Sequence, residues 1–493
     1  MGYKQGVDRH QQTLFPATLD EYITENNPTR VIDAFVDNLN LSDMGFNKTT
    51  TSDTGRPPYS PNDILKLYIY GYFNKIRSSR KLEAETHRNV EVMWLLNNLK
   101  PDHKTISRFR KDNLVPIKKV FDSFVKLCLK MNLYSRHLIS IDGSQFAAVN
   151  SKERNYSAGK LQDRIKRING HIAKYLTEVE SNDTTDSKVN ENGNIAEIVK
   201  VLQTRKKAYE GILETLAETG ETQVSLTDPD SRLMVKLNSH KMAYNVQTAV
   251  DSKNALIVDF EVTNTTDKGN MHSLASKCKK VLETDELTSL ADKGYISATD
   301  IANCVADGIN ANVSMNEASI DFCIETDEET TKPESYTNGR IVYLKERNIC
   351  VCPMGKILYP SNYRKSRRIA RYGNAKACAK CPQKCTNERY ARGEISMKKS
   401  EFNKEYDDKN LKLKQIHYVP DKLLLKQRKS LSEHPFGIVK RCLGADYFLL
   451  KRFKGATAET AFAFLAFNMK RVINLVGIKQ LIETINNANH QEV

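Results

Sequence analysis

Two aspartates each end a short apolar run, and a glutamate follows later in a segment with helical spacing. The aspartates are Asp142 and Asp292, and Glu433 lies within residues 429–440. Strand ends and a neighbouring helix can bring three carboxylates together, and hard oxygen ligands of this kind suit two Mg²⁺ or Mn²⁺ ions. Two such ions stabilise the attacking and leaving oxygens of an in-line phosphoryl displacement. The joint placement predicts a phosphoryl-transfer centre, although each acid alone is more often a solvated strand-end residue.

Three further side chains compete for roles near these acids. Asp228 and Asp230 precede a predicted strand, within reach of the sheet edge. We favour a structural role for them, because Asp228-Pro229 is a turn-forming pair. His434 could carry a proton, but capping or packing beside the following proline is the role we expect.

The elements around the acids follow the order β, ββ, α, β, α, β. Short apolar and alternating runs predict strands at 138–143, 242–250, 255–262, 287–292 and 309–315, and helical spacing predicts helices at 270–283 and 297–307. This is the order of the RNase H-like fold. We therefore predict an α/β catalytic core, a mixed sheet flanked by helices.

Helices dominate both ends of the chain. The N-terminal part has helical patterns at 28–41, from Pro61 onward and at 114–132, and an apolar-faced helix is predicted at 456–476. A short basic helix over 103–111 carries Arg108, Arg110 and Lys111. Short helices that end in a basic one resemble a helix-turn-helix module, so these three residues are candidate DNA contacts. Many helical bundles also carry basic helices.

Two insertions interrupt the core and complete the predicted domain organisation. Residues 155–220 form a helical hairpin, which either touches DNA or a partner protomer or packs against the sheet. Residues 317–420 are basic and rich in cysteine. The predicted domains are an N-terminal helical domain (1–133), an RNase H-like catalytic domain (134–316 plus 421–480), the hairpin (155–220) and the Cys-rich insertion (317–420).

The Cys-rich insertion concentrates both cysteine and positive charge. A candidate structural Zn²⁺ site uses four thiolates, with Cys350 as a substitute: Cys352, Cys378, Cys381 and Cys385. A reduced thiol cluster is the alternative. The formal net charge of the chain is +15, and residues 361–400 hold twelve basic against two acidic residues. That concentration predicts a nucleic-acid surface, with these candidate contacts: Arg364, Lys365, Arg367, Arg368 and Arg371.

No segment predicts export or a membrane span. The first twelve residues lack the apolar core of a secretion signal, and the longest apolar runs are broken well short of a span. We therefore expect a cytoplasmic, nucleoid-associated protein with no membrane partner.

Several motifs together resemble one protein family over nearly the whole chain. They are Ser-Ile-Asp142-Gly-Ser-Gln, Ala-Asp292-Lys-Gly-Tyr, Arg428-Lys-Ser-Leu-Ser-Glu433-His-Pro-Phe-Gly-Ile-Val-Lys440-Arg, Pro-Asp102-His-Lys-Thr-Ile-Ser-Arg-Phe-Arg, Thr227-Asp-Pro-Asp-Ser-Arg232 and Phe467-Asn-Met-Lys-Arg471. The chain resembles bacterial insertion-sequence transposases of the DDE class, in the branch called insertion sequence eleven-eighty-two. Glu433 and Lys440 match the Glu-x6-Lys part of the family signature Tyr-x2-Arg-x3-Glu-x6-Lys. Its first part departs, with Lys426 in place of Tyr and Lys429 in place of Arg.

The resemblance implies a function and a set of roles. Asp142, Asp292 and Glu433 would be the metal ligands, and Lys440, Arg428 and Lys429 would contact DNA. The enzyme would cut the ends of its element and join the 3′-hydroxyl to target DNA. Its partners would be double-stranded DNA, as terminal inverted repeats and target, and a second copy of the chain. The alternatives are a catalytically inactive, domesticated DNA-binding protein and an RNase H-like nuclease.

Overall fold

A computed structural model describes most of the chain. The described residues are 18–49, 57–151, 154–182, 189–221, 223–236, 239–315, 342–344, 349–352, 354–364, 369–379, 381, 392–396, 418 and 420–489.

Thirteen strands form three sheets within these described ranges. They are β1 (Leu138–Ala147), β2 (Asn155–Ser157), β3 (Gln223–Ser225), β4 (Arg232–Lys236), β5 (Ser239–Asp251), β6 (Ile257–Thr263), β7 (Leu287–Ala291), β8 (Ile309–Val313), β9 (Val342–Leu344), β10 (Ile349–Val351), β11 (Ile357–Arg364), β12 (Ile369–Gly373) and β13 (Arg392–Ser396). The central sheet has the order β4-β5-β1-β7-β8, and β6 also pairs with β5. β1 is antiparallel to β5 but parallel to β7, so the sheet is mixed, as predicted.

Helices flank this sheet and make up the ends of the chain. They are Pro28–Asp37, Leu41–Met44, Pro61–Phe73, Ser79–Arg88, Val90–Leu95, His103–Asp112, Leu114–Lys130, Ala158–Asn182, Val189–Thr219, Met271–Val281, Ala298–Ala306, Ala375–Ala379, Lys422–Gly437, Arg452–Val476 and Ile478–Asn489. The mixed α/β architecture is thus confirmed.

The helix Arg452–Val476, here called the central helix, is buried on all sides. Every residue from Ala458 to Met469 is buried, whereas the sequence predicted only one apolar face. The difference arises because this helix lies between two layers. It packs on the N-terminal helices Pro61–Phe73 and Leu114–Lys130 and on strand β6. The N-terminal helices and the sheet therefore share one hydrophobic core.

The two long helices after β2 pack against each other as a hairpin, as the spacing predicted. At its base the Arg164 guanidinium lies over the Tyr156 ring at 5.0 Å and donates to Tyr209 Oη at 3.1 Å. Strand β4, which follows the hairpin, was not predicted. It pairs with β5 at the sheet edge, and its side chains Leu233 and Val235 are exposed. An exposed edge strand lacks the apolar alternation by which strands are recognised in a sequence.

No single helix in the described part of the chain is long and apolar enough to cross a membrane. The central helix and its successor together meet that test by length and composition only, and they are bent by 109°.

Candidate active site

Strands β1 and β7 carry two of the predicted acids to the same level of the sheet. The last residues paired between these parallel strands are Ser140 and Leu290. Asp142 and Asp292 each lie two residues beyond that pair. Since both strands run in the same direction, both carboxylates lie where β7 ends. The sequence predicted that Asp142 ends its strand. In the structure β1 continues to Ala147, so Asp142 lies inside the strand.

The helix Lys422–Gly437, here called the glutamate helix, carries the third acid to this level. It packs on β1, β5 and β7. Asp142, Asp292 and Glu433 line one cleft of about 970 Å³, here called the acid cleft. The structure therefore brings the three predicted acids to one opening. The glutamate helix begins at Lys422, seven residues earlier than predicted, and continues as a π-helical turn, Ile438–Cys442.

The surroundings of the Asp142 carboxyl disfavour its ionised form. Its pKa is raised to about 6, mainly because the carboxyl is buried and to a smaller extent because of the nearby Asp292 charge. The Gly143 amide, which donates to Asp142 Oδ1 at 2.9 Å, opposes that rise in pKa, as do Arg428 and Ser432. The chain thus stabilises the ionised form of a carboxylate that its surroundings otherwise disfavour.

A fourth carboxylate, Asp267, lies in the acid cleft and was not predicted. Its Oδ1 accepts hydrogen bonds from Asn245 Nδ2 and Gln247 Nε2, both at 2.8 Å. Asp267 lies in the loop between β6 and the helix that begins at Met271, in a polar run that reads as an ordinary turn. The sequence carries no local signal for it, because the two amide donors come from β5.

Two glycines let the carboxylates approach the backbone this closely. A Cβ on Gly143 would collide with Asp267 Oδ1 and would lie 2.6 Å from Gln247 Nε2. A Cβ on Gly294 would lie 2.9 Å from Asp292 Oδ1, which accepts a hydrogen bond from the Gly294 amide at 2.7 Å. Both glycines follow motif aspartates, so the close approach explains the residue type at each position.

The phenol of Tyr295 lies beneath the acids. It is fully buried and donates to Gln247 Oε1. Burial raises its pKa, and the charges of Asp267, Asp142 and Asp292 raise it further. Three carboxylates therefore act on one phenol, which stays protonated and holds the Gln247 amide toward Asp267.

The donor chemistry of the acid cleft fits a divalent metal. Carboxylate oxygens are the ligands that Mg²⁺ and Mn²⁺ prefer, and burial together with the nearby Asp292 charge raises the pKa of Asp142. Within the described ranges, however, no three His, Cys, Asp or Glu side chains are close enough together to hold a metal ion. The carboxylates line one cleft, but in the described residues they are too far apart to bind one metal ion together.

The predicted basic residues of the glutamate helix differ in their surroundings. Lys429 is exposed, whereas Arg428 is half-buried and close enough to Asp142 to lower its pKa. Lys426, which stands in place of the signature Tyr, is exposed. Lys440 lies in the π-helical turn, and its Nζ donates to Ser144 Oγ at 2.7 Å and to Gln145 O at 2.6 Å.

The basic helix His103–Asp112 presents only part of its predicted contacts. Arg108 and Lys111 are exposed. Arg110 is only 5% exposed, and its guanidinium lies over the Tyr68 ring at 5.4 Å. Arg110 is therefore buried and is not presented at the surface of this helix. A basic residue on the inner face of a helix can carry its charge into the core when acidic and aromatic groups surround it.

Asp228 and Asp230 hold the start of the central helix and lie outside the acid cleft. Asp228 Oδ1 accepts from Tyr244 Oη at 2.8 Å and from the Arg452 amide at 2.9 Å, and Asp230 Oδ2 accepts from the Phe453 amide at 3.0 Å. Neither carboxylate lines the cleft. Their contacts are structural, in line with the role we favoured. His434 packs edge-on against Phe467, with ring centroids 6.3 Å apart.

Replacing Asp228 by Ala is expected to lower the free energy of unfolding by about 3 kcal/mol, because the buried Tyr244 hydroxyl and the partly buried Arg452 amide lose their acceptor. Urea unfolding of the purified protein measures this loss. Asp285, an exposed acid, offers a matched control: Asp285→Ala should change stability by less than about 0.5 kcal/mol. Equal stability of the two variants would contradict the structural role.

Part of the Cys-rich insertion lies in the described residues. Cys350 and Cys352 are buried beside Tyr372 in a small core against which Cys378 packs. Burial raises the pKa of Cys350 to about 12, so this thiol stays protonated unless a metal binds it. Cys381 follows, with its amide donating to Cys378 O at 3.3 Å.

Some of the residues predicted to bind zinc or DNA lie outside the described residues. They are Cys385, Lys365, Arg367 and Arg368, together with the side chain of Arg364. Arg371 lies on β12, opposite Glu394 of β13.

Comparison with known proteins identifies two segments. Residues 17–112 match a transposase domain, DUF772, and residues 351–473 match a transposase DDE domain. The second match contains Glu433 and Lys440 but begins after both aspartates of the acid cleft, Asp142 and Asp292. No curated protein matches the sequence.

One similar solved structure is a cryo-EM structure of a piggyBac transposase synaptic complex with hairpin DNA. It has 8% sequence identity and a TM-score of 0.32, and the match covers 94% of this chain and 79% of that one. A likeness at that score carries no argument about fold or function.

Proposed function

We propose that this chain, an insertion-sequence transposase of the DDE type, cuts the ends of its element and joins each 3′-hydroxyl to target DNA in the acid cleft. The observation on which the proposal rests is that Asp142, Asp292 and Glu433 line the same cleft. Glu433 also belongs to the segment that matches the transposase DDE domain. The chain acts on DNA, and its family depends on a divalent metal.

Asp142, Asp292 and Glu433, with Asp267 beside them, are the residues that would hold the metal, for which we propose Mg²⁺ or Mn²⁺. A bound divalent metal supplies the positive charge that stabilises attacking and leaving oxygens at phosphorus. The chain itself keeps Asp142 ionised through the Gly143 amide, Ser432 and Arg428. These contacts orient an acid whose pKa would otherwise rise further.

We propose that this sheet is the core of an RNase H-like fold. The strand order β6-β5-β1-β7-β8 supports that assignment. In this core, residues 134–316 and 421–480 are the catalytic domain, with the hairpin and the Cys-rich segment as insertions. The branch insertion sequence eleven-eighty-two stays a prediction from the motifs.

We also propose how the remaining parts serve DNA binding. The N-terminal helices would contact DNA through Arg108 and Lys111, both exposed. Cys352, Cys378, Cys381 and Cys385 would hold structural zinc, supported by the shared core of the first two. Binding of two element ends would involve a homodimer.

The test uses the purified protein with duplexes that carry the inverted repeats bordering its gene. We expect cut 3′ ends and a joined product with Mg²⁺, neither of them with EDTA, and recovery when Mn²⁺ is added. Cut ends without joining would identify a nuclease instead. Specific binding without cutting would identify a domesticated DNA-binding protein.

Asp267→Asn is expected to slow cleavage by about tenfold to a hundredfold, since Oδ1 can still accept both amide hydrogen bonds but the negative charge is lost. The single-turnover cleavage rate measures the effect. Glu221 is a matched control, because it lies at the cleft rim and pairs with Arg232 at 2.5 Å. Glu221→Gln should change the rate by less than about threefold. A wild-type rate for Asp267→Asn would exclude Asp267 from the reaction.

A further inference from the structure

The ammonium of Lys440 is surrounded by residues that follow Asp142 on β1. Its two hydrogen bonds go to Ser144 Oγ and to the Gln145 carbonyl. Its Nζ also lies 4.3 Å from the centroid of the Phe146 ring and 6.0 Å from that of Phe436. The positive charge is therefore engaged by two acceptors and two aromatic faces of the protein itself.

The contacts of Lys440 lie beside the part of β1 that does not pair with β7. β7 pairs with β1 only through residues 138–140, and beyond them no strand of the described residues pairs along that edge, apart from a single parallel bridge between Ala147 and Tyr447. A later segment takes its place. Ala147 exchanges backbone hydrogen bonds with Asp446 O at 3.1 Å and with the Phe448 amide at 2.8 Å. Lys440 and this segment together dock the C-terminal part of the chain on β1.

The local helix geometry explains why Lys440 faces β1 while Glu433 faces the cleft. Residues seven apart in a regular α-helix lie on nearly the same face. Between these two residues the helix changes to the π-helical turn Ile438–Cys442, whose wider turn alters the direction of later side chains. Glu433 remains exposed at the cleft, whereas Lys440 is half-buried against β1.

We propose that Lys440 is a positioning residue that fixes the distance between Asp142 and Glu433, and that it does not contact a DNA phosphate. Ser144 is two residues from Asp142, and Phe436 is three residues from Glu433. Both of these partners line the acid cleft, so one ammonium joins the two elements that carry the acids. A misplacement of about 1 Å at a catalytic group can cost a hundredfold in rate.

This inference rests on the proposed function, since the distance matters only if the acids catalyse cleavage. The experiment compares Lys440→Met, which keeps the unbranched stem between the rings, with Ser144→Ala, their double variant and Lys479→Met. Lys479, an exposed lysine on the last helix, is the matched control and should behave as wild type. DNA affinity is measured from low to high salt, and the cleavage rate is measured at saturating DNA.

We expect Lys440→Met to bind DNA within about twofold of wild type, with an unchanged salt slope, but to cleave at least about tenfold more slowly. Ser144→Ala should share part of this loss, and the double variant should be no slower than Lys440→Met alone, because the pair acts as a unit. Lys440→Arg should restore much of the rate, since a guanidinium can donate to both acceptors.

A phosphate contact gives the opposite pattern. The slope of log affinity against log salt would then fall by about 0.9 for Lys440→Met, as expected for one released counterion, and Ser144→Ala would be neutral. That result would overturn the inference while leaving cleavage by the wild type intact. Absence of cleavage by the wild type would instead overturn the proposed function. If Lys440→Met does not fold, Ser144→Ala still decides, because a wild-type rate for it excludes the positioning role.

Discussion

Asp142→Asn, Asp292→Asn and Glu433→Gln are each expected to slow strand cleavage by on the order of 10³-fold or more. Each change removes one negative charge from the acid cleft at nearly constant volume. DNA affinity should stay within about threefold of wild type, because most of the affinity for DNA comes from basic side chains. Single-turnover cleavage of element-end duplexes and a salt-matched binding assay measure the two effects.

A second readout separates loss of metal from loss of fold. Mn²⁺ should raise the melting temperature of the wild type, since a ligand that binds only the folded state stabilises it. The three variants should lose that rise while keeping the melting temperature of the metal-free protein. Asp285→Asn, at an exposed acid outside the cleft, is the matched control and should behave as wild type. Wild-type cleavage by all three variants would remove these acids from the proposed site.

The three acids of the cleft could be picked out from the sequence because their environment is local. An acid that follows a short buried run is visible in a few residues, and the order of the elements makes two such strands neighbours. The parallel pair Ser140 and Leu290 then places both aspartates at one level. Neither aspartate needs a side chain that is distant in sequence in order to be recognised.

Asp267 could not be predicted because its partners are distant in sequence. Asn245 and Gln247 hold its carboxylate from β5, about twenty residues earlier in the chain. In the sequence the same aspartate belongs to a polar loop and looks like many turn residues. Strand β4 was missed for a related reason, since its exposed Leu233 and Val235 break the alternation expected of a half-buried strand.

The basic residues show a second limit of sequence reasoning. A charge in a helix predicts solvent exposure, but the stem of Lys or Arg can lie among aromatic rings while its charge is paired inside. Arg110 does this against Tyr68, and Lys440 does it between Phe146 and Phe436. The number of positive charges in the sequence therefore overstates the number that are fully exposed to solvent.

Glu459→Ala is expected to lower the free energy of unfolding by about 3–5 kcal/mol, the largest loss of stability among the variants considered. Glu459 lies on the central helix and is 2% exposed. Its Oε1 accepts from the Leu449 amide at 2.8 Å and from the Leu450 amide at 2.5 Å. Its Oε2 lies 3.7 Å from Arg77 Nη1.

The loss is large because Glu459 faces two buried guanidiniums. Burial raises the pKa of the Glu459 carboxyl, and Arg110 and Arg77 oppose that rise. Both arginines are already short of partners, since Arg77 Nη2 and Arg110 Nε make no hydrogen bond. Without the carboxylate, two positive charges would stay buried between the N-terminal helices and the central helix.

Urea unfolding of the full chain measures the effect, with Glu483→Ala as the matched control at an exposed glutamate of the last helix. The control should change stability by less than about 0.5 kcal/mol. Glu459→Gln should lie between the two, because the amide oxygen can still accept from both backbone donors but the charge is gone. Similar unfolding of Glu459→Ala and the control would mean that the N-terminal helices do not depend on this buried contact for their attachment to the catalytic sheet.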